Sequence, residues 1–167
     1  MKRLFLLSIA LFLVCAVNAQ TEFSIPNRTL QQKYDMSRFI MTSYITSCIN
    51  AAKSDGMTAE EFGMKCGEAF IPVWDENTGF EQCVDWMLTY WTNLSDEAPI
   101  VEQSNDKVVI TVLHINPTLE NQDDFLGVSL DEFVAFIKAS HVALFNHFDV
   151  GFNLTKEEEG FKTVITQ

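Results

Sequence analysis

Positive charge is the first thing this sequence is short of. Its 167 residues carry 11 lysines and arginines against 23 aspartates and glutamates, a net charge of −12. A surface of that sign repels nucleic-acid phosphates and anionic lipid headgroups, so nucleic acid is excluded as a partner. Motifs that carry named chemistry are missing too. There is no Gly-x-Ser-x-Gly nucleophile turn, no glycine-rich phosphate loop, and no Cys-x-x-Cys or Cys-x-x-Cys-His spacing for zinc or haem. The sequence therefore implies no cofactor and no metal. Beyond Val14 no apolar run is long enough to span a membrane.

What is present begins with a leader. Lys2 and Arg3 form a positive start, Leu4 to Val14 is apolar, and Val17-Asn18-Ala19 offers the small residues that a signal peptidase reads. Residues 1–19 are expected to be a secretory signal, cleaved near Ala19-Gln20. Val14 before Cys15 speaks against a lipoprotein anchor, which requires a small residue there. Cleavage leaves residues 20–167 as one α+β domain of 148 residues, with 9 basic against 23 acidic residues and a net charge of −14. That charge keeps such a domain soluble. Secretion or a periplasmic location follows as an expectation. The sequons at Asn27, Asn93 and Asn153 matter only in a host that glycosylates them.

Helical periodicity dominates the first half of the chain. After an extended lead-in over Gln20 to Pro26, a long helix runs from about Arg28 to Ser54 and is closed by Gly56. Its apolar side is read as Tyr34, Met41, Ile45, Cys48 and Ala52, joined by Ile40 and Tyr44. A second helix opens with Thr58 as cap, Glu61 three residues on, and Met57 and Phe62 at staple spacing. Gly63 and Gly67 lie one turn apart on it, where a neighbouring backbone or a ligand can approach, and Pro72 ends it. The third helix, Phe80 to Leu94, holds Cys83, Trp86, Met87, Tyr90 and Trp91. Its polar positions Glu81, Asp85, Thr89 and Thr92 fall on one narrow stripe, and a helix this apolar is expected to be wrapped on most sides. Short connections predict an up-down-up layer of these three helices.

The period then changes to two. Ile100 to Gln103 and Val108 to Ile115 read as strands, the second apolar on both faces and so central. A polar, acidic loop follows over Asn116 to Gly127; its Glu120, Asp123 and Asp124 are read as solvated charge rather than a calcium site. Ser129 and Glu132 repeat the capping box, and the fourth helix buries Phe133, Phe136, Ile137, Ser140, Leu144 and Phe148. A terminal hairpin turns at Glu157 to Gly160. The order αααββαββ is that of an α+β fold, with a three-helix antiparallel layer and a fourth helix packed on one face of a mostly antiparallel four-stranded sheet.

Three cysteines, Cys48, Cys66 and Cys83, fall near one level in an antiparallel helix layer. They read as small core residues, as a Cys66–Cys83 disulfide, or as a thiol site. His114 closes the apolar strand; His141 and His147 read as surface or boundary positions. The function expected first is a non-catalytic binding domain for an apolar or aromatic small ligand or a protein partner. Its ligand-binding residues would be Gly63, Gly67, Trp86, Thr89 and Tyr90, set among aromatic helix faces. The alternative is a thiol-dependent hydrolase using Cys66 or Cys83 with His114 as base. A third possibility is a purely structural, envelope-associated domain.

Overall fold

The computed structural model describes residues 28–95, 97–115, 119, 123–158 and 160–167. The expected leader and cleavage site, the lead-in to Pro26, the sequon residue Asn27, Glu120 of the acidic loop and Glu159 of the last turn lie outside the described residues. Packing divides the chain into residues 1–34 and residues 35–167. Within the first part, Thr29 starts α1 (Leu30–Ser54) with a capping box: the Gln32 N–H donates to Thr29 Oγ1 at 3.2 Å, and the Thr29 N–H donates to Gln32 Oε1 at 3.0 Å.

The elements follow the expected order. After α1 come α2 (Ala59–Phe70), a single 3-10 turn at Ile71–Val73, and α3 (Phe80–Leu94). Then come β1 (Ile100–Gln103), β2 (Lys107–Val112), α4 (Leu130–Asn146), β3 (Gly151–Glu157) and β4 (Gly160–Thr166). Both later capping boxes form. The Glu61 and Glu132 N–H groups donate to Thr58 Oγ1 at 3.1 Å and Ser129 Oγ at 3.2 Å, and each glutamate reaches back to the cap N–H. Gly56, at φ +85°, takes the left-handed conformation just past the end of α1. None of the described helices is long and apolar enough to cross a membrane.

The four strands form one antiparallel sheet in the order β1-β2-β4-β3. β2 is an inner strand, as its apolar composition predicts. Its buried Val108, Ile110 and Val112 pair with Ile165, Thr163 and Phe161 of β4, and Leu154 of β3 pairs with Thr163. These side chains make one apolar sheet face. α3 lies against β2 and β4, and α4 against β3. Trp91, fully buried on α3, donates its indole N–H to Thr163 Oγ1 at 2.9 Å, which satisfies two polar groups in the middle of the core.

α2 makes its closest approach to α4, and the paired glycines are the reason. A Cβ at Gly63 would stand 2.5 Å from the Phe136 carbonyl oxygen; one at Gly67 would overlap the Ser140 carbonyl oxygen and sit 2.9 Å from Ala143 Cβ. Backbone packs on backbone at this crossing. Lys53, in the last turn of α1, ties the start of α4 in place. Its ammonium donates to the Gly127 carbonyl at 2.9 Å and pairs with Glu132 at 2.6 Å. The lysine holds the Glu132 carboxyl below the usual carboxylate range, with help from the Ser129 cap.

Two expectations about faces need correction. The expected side of α1 holds in part: Ala52 is buried and Met41 and Ile45 pack against the core, but Thr42, Thr46 and Ile49 complete the buried face, whereas Cys48 is exposed and Tyr44 is 72% exposed. Thr46 reaches the core side because its hydroxyl is satisfied by the Thr42 carbonyl at 2.8 Å, so it packs as a small apolar residue. α3 is not wrapped on most sides. It buries Cys83, Met87, Trp91 and Leu94 on the sheet side, and leaves Trp86 37% exposed.

Candidate binding cleft

A cleft of about 220 Å³ lies among the four helices. Its walls are Ile45 of α1; Cys66, Gly67 and Phe70 of α2; Trp86 and Tyr90 of α3; and Phe136, Ile137, Ser140, His141 and Leu144 of α4. The close α2–α4 crossing fixes one wall. Phe70, Phe136 and Trp86 add aromatic rings to the lining. A second, more open groove of about 580 Å³ shares Phe70 and Trp86 with the cleft and adds Val73, Trp74, Asp75, Glu81, Gln82, Asp85 and Thr89. The polar stripe of α3 therefore faces solvent, and most of it lines this outer groove.

The polar centre of the cleft is His141, a residue expected from the sequence at a surface or boundary position. It is only 6% exposed. Tyr90 stands edge-on to its ring at 5.1 Å, Phe145 edge-on at 5.7 Å, and Phe152 stacks on it at 5.3 Å. The indole of Trp86 donates to His141 Nε2 at 3.3 Å. Because an indole N–H only donates, Nε2 must accept, and the proton belongs on Nδ1. Nδ1 lies 2.8 Å from the Ile137 carbonyl and donates to it; Ser140 Oγ donates to the same carbonyl at 3.0 Å. Burial drives the imidazole pKa down to about 4 against the opposing pull of that carbonyl, so His141 is neutral at physiological pH. Both of its ring nitrogens are engaged. A signal for this position existed in the sequence: Ile137, His141 and Phe145 are spaced by four, which stacks them on one helix face.

Tyr90, beside His141, shows the opposite situation. Its hydroxyl is buried without a hydrogen-bond partner among the described residues. Burial raises its pKa, so it remains a protonated donor.

Of the five expected ligand-binding residues, Gly67, Trp86 and Tyr90 line the cleft. Thr89 lines the outer groove, and Gly63 is consumed by the α2–α4 crossing. Cys48, Cys66 and Cys83 are free thiols in three settings. Cys66 is half-buried in the cleft wall, Cys83 is fully buried in the core, and Cys48 is exposed. Burial raises the Cys66 thiol, with a further push from Cys48, and raises Cys83 to about 11. A nucleophilic thiolate needs the reverse shift. His114 is exposed beyond β2 and lines neither hollow. His147 is exposed at the end of α4, edge-on to Phe148. Among the described residues no three His, Cys, Asp or Glu side chains are grouped to hold a metal ion. No protein-family model matches the chain, and no curated protein matches it.

Proposed function

We propose that residues 35–167 form a non-catalytic binding domain that takes a small apolar ligand into the four-helix cleft. The observation that carries this reading is the cleft itself: about 220 Å³ walled by aromatic and aliphatic side chains. For scale, an apolar cavity of about 150 Å³ is enough to hold benzene. Aromatic walls with a few polar groups are the usual composition of small-molecule sites. Export after cleavage near Ala19-Gln20 belongs to the same proposal and rests on the sequence alone.

The test uses the protein as cells export it. Native mass spectrometry should show a chain beginning at Gln20, with a retained small molecule or free capacity for one. Titration with 1-octanol, followed by tryptophan fluorescence, should saturate. Cys66→Phe, which fills the cleft from the half-buried side of α2, should weaken octanol binding about tenfold or more, with melting temperature kept close to wild type. Failure of the unaltered protein to saturate, or equal binding by the filled variant, removes the proposal.

A further inference from the structure

We propose that the ligand is an organic monocation with a short apolar tail, the tail in the cleft and the cationic head in the outer groove. This deepens the reading above and rests on it.

The two hollows share Phe70 and Trp86, so one molecule lying along those rings touches both. Their chemistry differs sharply. The cleft carries no ionised group: His141 is the titratable imidazole there, and its Nε2 already accepts from Trp86. A charge placed inside would lose its hydration with nothing to replace it. The groove carries three carboxylates, Asp75, Glu81 and Asp85. Asp75 is held in its ionised form by the Asn77 backbone and side-chain N–H groups, at 2.8 and 2.9 Å. Neither lining includes a lysine or arginine. An anion is therefore opposed at the groove and at the surface as a whole, whereas a cation meets three negative charges.

Aromatic faces make this more than an acidic patch. Trp74 and Trp86 stand edge to face at 5.2 Å in the groove, and Phe70 and Trp86 remain 48% and 37% exposed beside the carboxylates. Tryptophan and phenylalanine faces attract ammonium groups, most strongly where water is partly excluded, and aromatic walls are a recurrent way of holding alkylated ammonium ions. Trp86 is presented in this orientation by its bond to His141, which makes His141 a positioning residue. The cleft's volume suits a tail of roughly six to nine carbons, scaling from the cavity that holds benzene.

The experiment compares probes with one tail and different heads: octyltrimethylammonium below its micelle threshold, 1-octanol, octyl sulfate, and tetramethylammonium as a head without a tail. Calorimetry at low salt should find octyltrimethylammonium about tenfold tighter than octanol, and octyl sulfate weaker than octanol. In Glu81→Gln/Asp85→Asn that preference should fall to within about threefold, with octanol affinity unchanged. Asp131→Asn/Glu157→Gln, which removes the same charge from exposed sites that line neither hollow, should leave the preference intact. Equal binding of all three octyl compounds overturns the cationic head and leaves the apolar cleft standing. Equal loss in the remote variant assigns the preference to bulk charge and overturns the groove. Tetramethylammonium binding as tightly as the octyl cation overturns the tail. If no octyl compound binds, the inference and the apolar-ligand reading fall together.

Discussion

Trp86 and Trp91 stand five residues apart on α3, about 140° around the helix, and meet two different environments. Trp91 is fully buried against the sheet, and its N–H is satisfied by Thr163. Trp86 is 37% exposed at the cleft, and its N–H is satisfied by a histidine that is itself buried. Tyr90, also on the cleft side, has a hydroxyl that nothing described satisfies. One face of the helix is finished as protein interior; the other keeps an apolar wall that the fold leaves partly uncovered. On the proposed reading, the first face holds the fold and the second is the one offered to a ligand.

The contrast can be tested by substitution on each face. Trp91→Ala removes a fully buried ring and orphans Thr163, and should cost about 3–5 kcal/mol in chemical denaturation. Trp86→Ala should cost less than half as much. Equal losses would erase the distinction between the two faces.

Acidification probes the cleft side next. The imidazole of His141 titrates near 4 in the folded state and near 6.5 when unfolded. Between those values the unfolded chain binds the extra proton, so stability is highest above about pH 6.5 and declines as the pH falls toward 4. The lost contribution is on the order of 3 kcal/mol. Subtracting the pH profile of His141→Gln, which keeps an acceptor for Trp86, should isolate it from carboxylate titration. Coincident profiles would mean that the imidazole is solvated. The smallest effect is expected from Tyr90→Phe: stability within about 0.5 kcal/mol of wild type or slightly higher, because no hydrogen bond is lost. A loss above about 1 kcal/mol would show that the hydroxyl is already satisfied.

The order of elements, both glutamate capping boxes and the inner position of β2 were legible because each rests on local pattern. The capping box at Thr29 was equally local and readable from Thr-x-x-Gln. The buried face of α1 was legible at Met41, Ile45 and Ala52 but missed at Thr42 and Thr46, because threonines count as polar until their hydroxyls are seen to bond within the helix, as Thr46 does with Thr42. At the site, Gly67, Trp86 and Tyr90 were legible from aromatic and small-residue spacing. His141 was not, although its four-residue spacing to Ile137 and Phe145 marked the face. Its Nε2 partner, Trp86, lies 55 residues away in the chain. The α2–α4 contact was likewise beyond local pattern: two glycines announce a close neighbour without naming it.

That contact has a mechanical consequence. Where Gly67 meets the Ser140 carbonyl, the gap is set by main-chain atoms, which have no rotamers to change. The cleft therefore resembles a vice with one fixed jaw, the α2–α4 side, facing an adjustable one made of Ile45 of α1 and Trp86 and Tyr90 of α3. Changes in the size of what fits would have to be made on the adjustable jaw, since even a methyl group at Gly67 displaces the helix that defines the space.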